Sequence, residues 1–298
     1  MNQPFTYYFI VNSRANSGRA TRRFEELKPI IDAKFDQYEA FHTNTVDEIV
    51  EIVASNDSPT SVFVACGGDG TAQAVAKQLI GKNSMLGIIP IGSGNDFAKM
   101  LGNETDQIAY LDILLNGVPV AFDSITWDKG VCINTLGIGV DGLTNKYAAK
   151  SKVLRGKLKY VFAAAKAILS ISKSKVKVKI NDETHEESFD TYLALATNGR
   201  WEGGSYQLSP NSSSSDGIFE LHVAAIKSRI QLFYQFLRLS FFGSFSQHIL
   251  KTYTCTKAKL QFDRSFPAHC DGEDIGFITD IEFIMNPGSL KVITKGNN

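Results

Sequence analysis

The stretch FVACGGDGTAQAVAKQL, residues 63–79, places three glycines, an aspartate and a threonine between an apolar run and a helix-like segment. Gly67, Gly68 and Gly70 weaken the local backbone, because glycine loses more conformational freedom on folding than any other residue. A strand that ends here and a helix that begins here would expose backbone N–H groups and the positive end of a helix dipole. Such a corner is a natural seat for a phosphate group.

Asp69 is unexpected beside a phosphate, because two negative groups repel one another. A divalent cation would resolve the conflict, since Mg²⁺ is commonly held by a carboxylate together with phosphate oxygens. The alternative is an ordinary tight turn in which Thr71 caps the helix. Turn chemistry alone leaves both interpretations open.

The first hundred residues alternate between two periodicities. Strand-like runs occupy 6–11, 37–43, 61–66 and 85–91, and helix-like runs occupy 17–35, 46–55, 70–81 and 95–101. This alternation predicts a parallel, doubly wound α/β sheet. Ligands of such sheets bind at the loops that leave the carboxyl ends of the strands.

Two further strand ends resemble the glycine corner in composition. They are PIGSGNDFAK (90–99) and VNSRANSGRA (11–20), and their polar or glycine positions are Asn12, Ser17, Gly18, Gly92, Ser93, Asn95 and Asp96. Asn95 and Asp96 would also serve as helix caps. Three small, amide-rich loops on one sheet edge nevertheless favour a site for the phosphates of a nucleotide.

Beyond about residue 117 the sequence becomes rich in strand-like segments, with helices expected at about 142–150, 155–172 and 228–242. This half predicts an antiparallel β-sandwich with inserted helices. We therefore expect an α/β domain over 1–120 and a β-sandwich domain over 121–298, whose last strand could pack back on the first domain.

Composition and short motifs exclude several classes of protein. The four cysteines form no CxxC pair, and the N-terminus lacks the pattern of a signal peptide, so we expect reduced thiols and a cytoplasmic protein. No apolar run reaches the roughly 18 residues that span a bilayer. The P-loop pattern GxxxxGK[ST] is missing, and GIGVDG (137–142) lies in the β-rich half without a βαβ unit around it.

Charge is unevenly distributed along the chain. The segment 146–179 holds eleven lysine and arginine residues and no acidic residue, although the whole chain has 31 residues of each sign. Such a segment suits an anionic membrane surface or, through Arg155 and Lys159, the phosphates of a nucleotide. It lacks the interleaved aromatic residues of a single-strand binder, so we expect no nucleic-acid partner.

The segment IQLFYQFLRLSFFGSF, residues 230–245, is unusually aromatic. As a helix it would carry apolar residues on nearly all sides. Core packing, contact with a second copy in a homodimer and contact with lipid are the three interpretations that the sequence leaves open.

Five strings in a fixed order resemble the bacterial soluble lipid kinases of the diacylglycerol kinase catalytic family. They are NSRANSGR, GGDGT, PIGSGNDFAK, DGIFEL and CDGEDIG, and they span residues 12–276. Sphingosine kinases and, more distantly, NAD kinases and phosphofructokinases share the GGDG corner. The resemblance implies a two-domain enzyme that binds ATP between an NAD-kinase-like α/β domain and a β-sandwich.

The resemblance also assigns residues to the nucleotide. Asn12, Ser17 and Gly18 match a first phosphate loop, and Thr43 matches a threonine on the nucleotide side. The GGDGT segment is matched by Gly67, Gly68, Asp69, Gly70, Thr71, Ala72 and Gln73. Gly92, Ser93, Asn95 and Asp96 match the next loop, where the family more often carries threonine in place of Ser93.

In the second half the resemblance implies three kinds of role. Asp123 matches an aspartate that acts with Asp69 around Mg²⁺, and Glu273 of the DGE string matches a general base. Asp141 falls where related kinases carry an aspartate near the lipid head group. A second, structural Mg²⁺ loop is implied at Ser213, Asp216 and the carbonyl of Ile218.

The function implied is transfer of the γ-phosphate of ATP to a hydroxyl of a membrane lipid, with diacylglycerol as the default acceptor and phosphatidic acid as product. The enzyme would then work at the inner face of the membrane as a peripheral protein. An NAD kinase is one alternative, although the usual downstream Asn-Glu pair of that family is replaced here by GSGNDFA. A non-catalytic nucleotide- or lipid-binding module is the other.

Overall fold

The computed structural model describes residues 5–14, 18–92, 94–102, 106–151, 156–181, 186–203, 206–242 and 245–296. The chain divides into two compact units. The first comprises Met1–Asp123 and Pro287–Asn298, and the second comprises Ser124–Asn286.

The first unit is a parallel α/β sheet with helices between its strands. Its strands are β1 (Thr6–Asn12), β2 (Tyr38–Thr43), β3 (Ser61–Gly67), β4 (Met85–Pro90), the start of β5 (Val118–Trp127) and the end of β16 (Glu273–Thr294). Its helices are α1 (Arg19–Lys34), α2 (Val46–Asn56), α3 (Asp69–Leu79), α4 (Asp96–Lys99) and α5 (Gln107–Asn116). The order β2-β1-β3-β4-β16 is parallel throughout, so the predicted fold class is confirmed for this unit.

Helix α5 is an element that the sequence analysis did not predict. It buries Tyr110, Leu111, Ile113 and Leu114 within the first unit. The side chain of Asp106 accepts a hydrogen bond from the Ile108 N–H group at 3.2 Å and caps the helix. Aspartate before an apolar run is an N-terminal signal, so this helix was predictable from its cap.

The register of the parallel strands brings their carboxyl ends side by side. Asn12 is paired with Thr43 across β1 and β2, and Gly67 is paired with Pro90 across β3 and β4. The loops that follow these strands therefore start from one edge of the sheet, as expected for a ligand site in this architecture.

The second unit is dominated by antiparallel strands. They are β6 (Gly130–Cys132), β7 (Thr135–Gly139), β8 (Ser174–Ile180), β9 (Glu187–Thr191), β10 (Leu193–Thr197), β11 (Trp201–Glu202), β12 (Tyr206–Gln207), β13 (Phe219–Ala224), β14 (Leu250–Cys255) and β15 (Lys257–Cys270). The helices are α6 (Val140–Lys150), α7 (Gly156–Ser170), α8 (Arg229–Phe242) and a 3₁₀ turn at Gln247–Ile249. Within the described residues, none of these or the other helices is long and apolar enough to cross a bilayer.

Strand β15 organises this unit because it pairs with three strands. It pairs with β16 along most of its length, and the register of that ladder shifts between Gln261 and Phe266. Its first half also pairs with β8, and its last residues pair with β7. On the β7 side the order continues through β10 and β13 to β14. The antiparallel β-rich architecture predicted for the second half is confirmed.

A buried polar network lies inside the second unit around His222. Its Nδ1 atom is 2.9 Å from the Thr252 hydroxyl, and its Nε2 atom is 2.9 Å from the Ser209 hydroxyl. The Thr197 hydroxyl also lies 3.3 Å from Nε2. Burial lowers the pKa of His222 from 6.5 to about 4, because a charged ring would lose its hydration here.

We expect His222 to make the protein less stable in mild acid. A folded-state pKa of about 4 against 6.5 unfolded means that the unfolded chain takes up the proton first as the pH falls below 6.5. The free energy of unfolding should therefore drop by about 2–3 kcal/mol between pH 7.5 and 4.5 through this residue. Urea titrations should show a smaller pH-dependent loss for His222→Gln than for the unchanged protein, and an equal loss would contradict the assignment.

Candidate active site

The glycine corner joins β3 to α3 through a turn that admits no side chain at its first position. A Cβ atom on Gly67 would overlap the side chain of Thr71, including its hydroxyl. The N–H groups of Thr71 and Ala72 donate to the carbonyl of Gly68 at 2.9 and 3.1 Å. Among the described residues, this leaves the N–H groups of Asp69 and Gly70, the first two of the helix, for a ligand.

The loop after β4 presses against this corner. A Cβ atom on Gly92 would overlap the Cα atom of Gly68, and the Ile91 N–H group donates to the Gly67 carbonyl at 2.7 Å. Asn95 adopts a left-handed conformation with φ of 53°, and its side chain bonds both the N–H and the carbonyl of Gly92. The two loops are therefore fixed to one another by backbone contact.

The first strand contributes to the same corner through its last residue. Asn12 Nδ2 donates to the Thr71 hydroxyl at 3.1 Å, and the Ser13 N–H group donates to the carbonyl of Thr43 at 2.9 Å. The structure thus places Asn12 beside the GGDGT segment, and the buried Thr43 beside Asn12. Ser17 and Ser93, also predicted to contact the nucleotide, lie outside the described residues.

Two glycines of the predicted site face open space. A Cβ atom on Gly70 or on Gly18 would meet no atom of the described protein within 4 Å. Gly18 has φ of 84°, which itself favours glycine, whereas Gly70 lies in the first turn of α3 without such a constraint. The absence of a side chain at Gly70 is thus not explained by packing within the protein, and it fits close approach of a ligand.

Asp69 lies in the glycine corner and also holds the segment that follows β4. Its Oδ1 atom accepts the N–H group of Phe97 at 3.1 Å. Burial, followed by the charge of Asp96, raises the pKa of Asp69, while the N–H groups of Phe97, Asp96 and Asn95 oppose that rise. Asp96 in turn pairs with Lys99 at 2.8 Å. The acid of GGDGT therefore has a structural role that the sequence did not reveal.

Asp123 is buried in the same unit, where its Oδ1 atom accepts the N–H group of Gly288 at 2.7 Å. The structure thus gives Asp69 and Asp123 separate hydrogen-bond partners and shows Asp96 as the carboxylate whose charge acts on Asp69. Shared coordination of a metal by Asp69 and Asp123 stays a prediction.

Gln73 adds a buried acceptor to the corner. The residue is 4% exposed, and its Oε1 atom has no hydrogen-bond partner among the described residues. A buried amide oxygen without a donor is unfavourable, because its lost hydration is not replaced. The neighbouring Ala72 is buried as well.

In the second unit, Asp271 anchors the turn that carries the DGE string. Its carboxylate accepts the N–H groups of Ile133, Asn134 and Thr135 at 2.9, 2.9 and 3.1 Å. The Cys132 thiol lies 3.2 Å away, and burial raises the pKa of that thiol. A saturated carboxylate beside a neutral thiol makes this cluster structural, and sequence reasoning had not named Asp271.

Glu273 begins β16 immediately after this anchored turn. Its partner across the ladder is Cys270, and Glu273 itself is exposed. Asp271 and Gly272 both have positive φ values, of 51° and 85°, so the turn is tight. The predicted base is therefore presented to solvent two residues from a fixed point.

The aspartate of the predicted second Mg²⁺ loop, Asp216, is accounted for by an ordinary turn. Asp216 Oδ1 accepts the N–H group of Ile218 at 3.2 Å, which is an ordinary aspartate turn. Burial raises the pKa of Glu220, and the charge of Asp216 adds to this rise, while the hydrogen bond that the Ser212 hydroxyl donates to the Glu220 carboxylate opposes it. Ser213 is half-buried in the same loop. Metal binding there stays a prediction.

Asp141 lies in the first turn of α6, where its Oδ2 atom is 2.8 Å from His269 Nε2. GIGVDG therefore forms a strand-to-helix corner within an antiparallel sheet. Its glycines serve packing: a Cβ atom on Gly142 would approach the Pro267 carbonyl to 2.6 Å. His269 is a residue that the sequence analysis missed.

A known family model matches most of each unit. The family model of the diacylglycerol kinase catalytic domain matches residues 6–127, and that of the YegS C-terminal NAD kinase beta sandwich-like domain matches residues 134–294. This pair of domains defines the class as a kinase, for which ATP is the phosphate donor. The chain belongs to the diacylglycerol kinase and YegS family of lipid kinases.

Individual relatives support this membership. A diacylglycerol kinase of Bacillus subtilis (strain 168) is 28% identical over 223 residues, which are 73% of this chain and 72% of the relative. A Pectobacterium atrosepticum protein named "Probable lipid kinase YegS-like" is 29% identical over 236 residues, covering 77% and 75%. The crystal structure of a diacylglycerol kinase from Bacillus anthracis (strain Sterne) covers 99% of this chain and 98% of its own, with a TM-score of 0.74 at 18% identity. At that identity the likeness shows the fold alone.

Alanine substitutions at Gly70 and Gly92 should distinguish a glycine that leaves room for a ligand from a glycine that the packing of the protein requires. Gly70→Ala meets no protein atom and should raise stability by up to about 1 kcal/mol, since alanine favours a helix over glycine. It should nevertheless weaken ATP binding. Gly92→Ala should lower the melting temperature because its Cβ atom overlaps the Gly68 backbone.

Calorimetric titration with ATP and thermal melts of both variants provide the measurement. A Gly70→Ala protein that binds ATP as tightly as the unchanged protein would show that the phosphates lie elsewhere.

Proposed function

We propose that the protein transfers the γ-phosphate of ATP to a hydroxyl of a membrane lipid, with diacylglycerol as the reference acceptor and phosphatidic acid as its product. The observation that carries this proposal is the glycine corner, with two helix N–H groups and the open face of Gly70. Family membership supports the kinase chemistry, and the names of relatives suggest the acceptor.

The glycine corner offers carboxylate oxygen atoms that could bind Mg²⁺ beside the phosphates. Asp69 is half-buried, and repulsion from Asp96 contributes to its raised pKa. A divalent cation would relieve that repulsion, and oxygen ligands are what Mg²⁺ prefers. When bound, Mg²⁺ would screen the charge of the phosphate oxygens.

The remaining steps use the chain's own groups. The N–H groups of Asp69 and Gly70 hold the phosphate chain, so that positioning supplies most of the catalysis. The lipid hydroxyl oxygen forms the new bond to the γ-phosphorus while the bond to the β-phosphate oxygen breaks and ADP leaves. In this proposal Glu273 accepts the proton of the hydroxyl.

Two isosteric variants test the roles of the acids. We expect Asp69→Asn to retain an oxygen for the Phe97 N–H group, and so to fold, while losing the charge that would hold the cation. Glu273→Gln should lower kcat by about 10²–10⁴, the usual contribution of a positioned base. Transfer from labelled ATP to diacylglycerol in detergent micelles measures both.

Asp280→Asn serves as the control, because this acid is exposed on β16 and accepts a hydrogen bond from the hydroxyl of the neighbouring Thr279 at 3.2 Å. Near-normal turnover in both test variants would remove Asp69 and Glu273 from the mechanism.

We further propose that helices α7 and α8 contact the membrane that carries the acceptor. Of the fifteen large apolar side chains that are exposed in the described part of the chain, eight belong to these two helices: Leu158, Tyr160, Phe162, Leu169, Ile230, Phe233, Tyr234 and Phe241. Other residues of the same helices, including Ala167, Ile168 and Leu232, are buried in the core of the unit. Core packing alone therefore does not account for the aromatic segment 230–245.

The basic segment divides into paired and exposed residues. Lys146, Lys173 and Lys177 pair with Asp274, Asp190 and Glu186. Other lysines, such as Lys150 and Lys175, are exposed. Arg155, an alternative nucleotide contact, lies outside the described residues. Exposed lysines suit a surface of anionic lipid, where each contributes about 1 kcal/mol.

Vesicle binding tests this docking surface. Binding should strengthen with the anionic lipid fraction and weaken with salt. Ile230→Asp and Phe241→Asp should each weaken it about 10- to 100-fold, because burying a large apolar side chain contributes about 1.5–3 kcal/mol. Val46→Asp, on the 51% exposed Val46 of α2, is the matched control. Salt-independent binding, or an equal effect of the control, would argue against these helices.

A further inference from the structure

The turn between β15 and β16 leads into Glu273, and side chains hold the chain on both sides of that residue. The N–H group of Gly272, directly before Glu273, donates to His269 Nδ1 at 3.1 Å. The carboxylate of Asp274, directly after Glu273, pairs with Lys146 of α6, and Oδ2 and Nζ are 3.3 Å apart. The two neighbours of Glu273 in the sequence therefore restrain its backbone.

His269 is suited to hold the turn because its ring is buried and is itself held at the other nitrogen. The side chain is only 3% exposed, and Nε2 lies 2.8 Å from Asp141 Oδ2 and 3.4 Å from Glu202 Oε1. A Cβ atom on Gly137 of β7 would overlap both Asp141 Oδ2 and His269 Nε2, so this pair packs directly against the strand. Rotation of the ring would break these contacts.

The two ring nitrogens of His269 have opposite roles. Because Nδ1 accepts the Gly272 N–H group, the single proton of the neutral ring lies on Nε2, where it faces Asp141. Burial lowers the pKa of His269, and the charges of Asp141 and Glu202 more than reverse this, raising it to about 9. A second proton, on Nδ1, would face the Gly272 N–H group, donor against donor, so this hydrogen bond acts against that rise.

The bonds of Asp271 fix the start of the turn but leave its second residue to His269. The Asp271 N–H group donates to the carbonyl of Thr135 at 2.8 Å, in addition to the three N–H groups that its carboxylate accepts. Gly272 follows with φ of 85°, and a glycine backbone rotates more freely than that of any other residue. The hydrogen bond to His269 therefore limits the direction in which the chain enters Glu273.

We propose that His269 is a positioning residue for Glu273, because by accepting the Gly272 N–H group it fixes the backbone from which the Glu273 carboxylate extends. This inference rests on the proposed kinase function and on the role of Glu273 as its base. A base must lie within hydrogen-bond reach, about 2.6–3.2 Å, of the proton that it accepts. A change in the turn should therefore slow phosphate transfer without changing how tightly ATP binds at the glycine corner.

Two amide substitutions separate the two hydrogen bonds of the ring. His269→Asn places its side-chain oxygen where Nδ1 lies, so an acceptor for the Gly272 N–H group remains while the contact with Asp141 is lost. His269→Gln reaches the position of Nε2 and keeps a donor for Asp141, but it offers no acceptor to Gly272. The two variants carry the same functional group, so a difference between them reports on the Gly272 hydrogen bond.

Transfer from labelled ATP to diacylglycerol in detergent micelles measures the effect. His269→Gln should lower kcat at least about tenfold with KM for ATP unchanged, since misplacing a catalytic group by about 1 Å costs up to about 10²-fold. His269→Asn should keep kcat close to that of the unchanged protein. His222→Gln is the matched control, because it alters another buried histidine of this unit and should lower the melting temperature but not kcat.

Two measurements follow the same contact without the reaction. Amide hydrogen exchange at Gly272 should become faster in His269→Gln but not in His269→Asn. Nitrogen NMR of the imidazole rings near neutral pH should show His269 with an unprotonated Nδ1, and the signal is assigned by its loss in the variants. Unchanged exchange in His269→Gln, a ring protonated at both nitrogens, or equal losses of kcat in the two variants would overturn the inference.

These measurements also distinguish this inference from the proposed function. If the unchanged protein transfers phosphate to no lipid, the proposed function is contradicted, and the exchange data still decide whether His269 holds the turn. Transfer that is lost in Glu273→Gln but normal in His269→Gln would support the kinase function and overturn the role of His269.

Discussion

The contact between the backbones of Gly68 and Gly92 is the constraint on which the proposed ATP site depends. The loops after two neighbouring parallel strands meet there with no side chain between them. The hydroxyl of Thr71 is held by Asn12 from a third strand. Three strand ends therefore act as one rigid edge, and the first N–H groups of α3 are fixed before any ligand binds. A site that is organised in advance loses little entropy on binding.

Two acids of the short motifs have structural roles in this protein. Asp69 accepts the N–H group of Phe97, and Asp271 accepts those of Ile133, Asn134 and Thr135. The second set fixes the turn in front of Glu273. Substitution of either aspartate by alanine would therefore disturb geometry and charge together. Isosteric amides are the more informative variants, because they keep an acceptor oxygen.

Much of the fold was predictable because its signals are local. Alternating periodicities indicate a parallel sheet, and the ends of parallel strands share one edge, so the convergence of the GGDGT and GSGND loops followed from the sequence. The pairing of Asp271 with Thr135 and that of His269 with Asp141 did not, since these partners are 136 and 128 residues apart. Such contacts depend on how antiparallel strands assemble, which no local pattern of residues encodes.

The exposed apolar side chains of α7 and α8 illustrate the same limit. The sequence shows that segment 230–245 is aromatic, but an all-apolar helix is equally consistent with a core, a dimer contact and a lipid contact. The packing of Leu232 inward and of Ile230 and Phe241 outward shows that the core takes up only one side of this helix. A sequence pattern indicates which residues are apolar, whereas tertiary packing decides which of them reach solvent.

Hydrogen–deuterium exchange with and without ATP and Mg²⁺ tests the central claim most directly. If the glycine corner seats the phosphates, exchange should slow at the amides of residues 67–71 and in the adjoining loop 90–97. Unchanged exchange in these two segments, with protection appearing elsewhere at saturating ATP, would contradict the account.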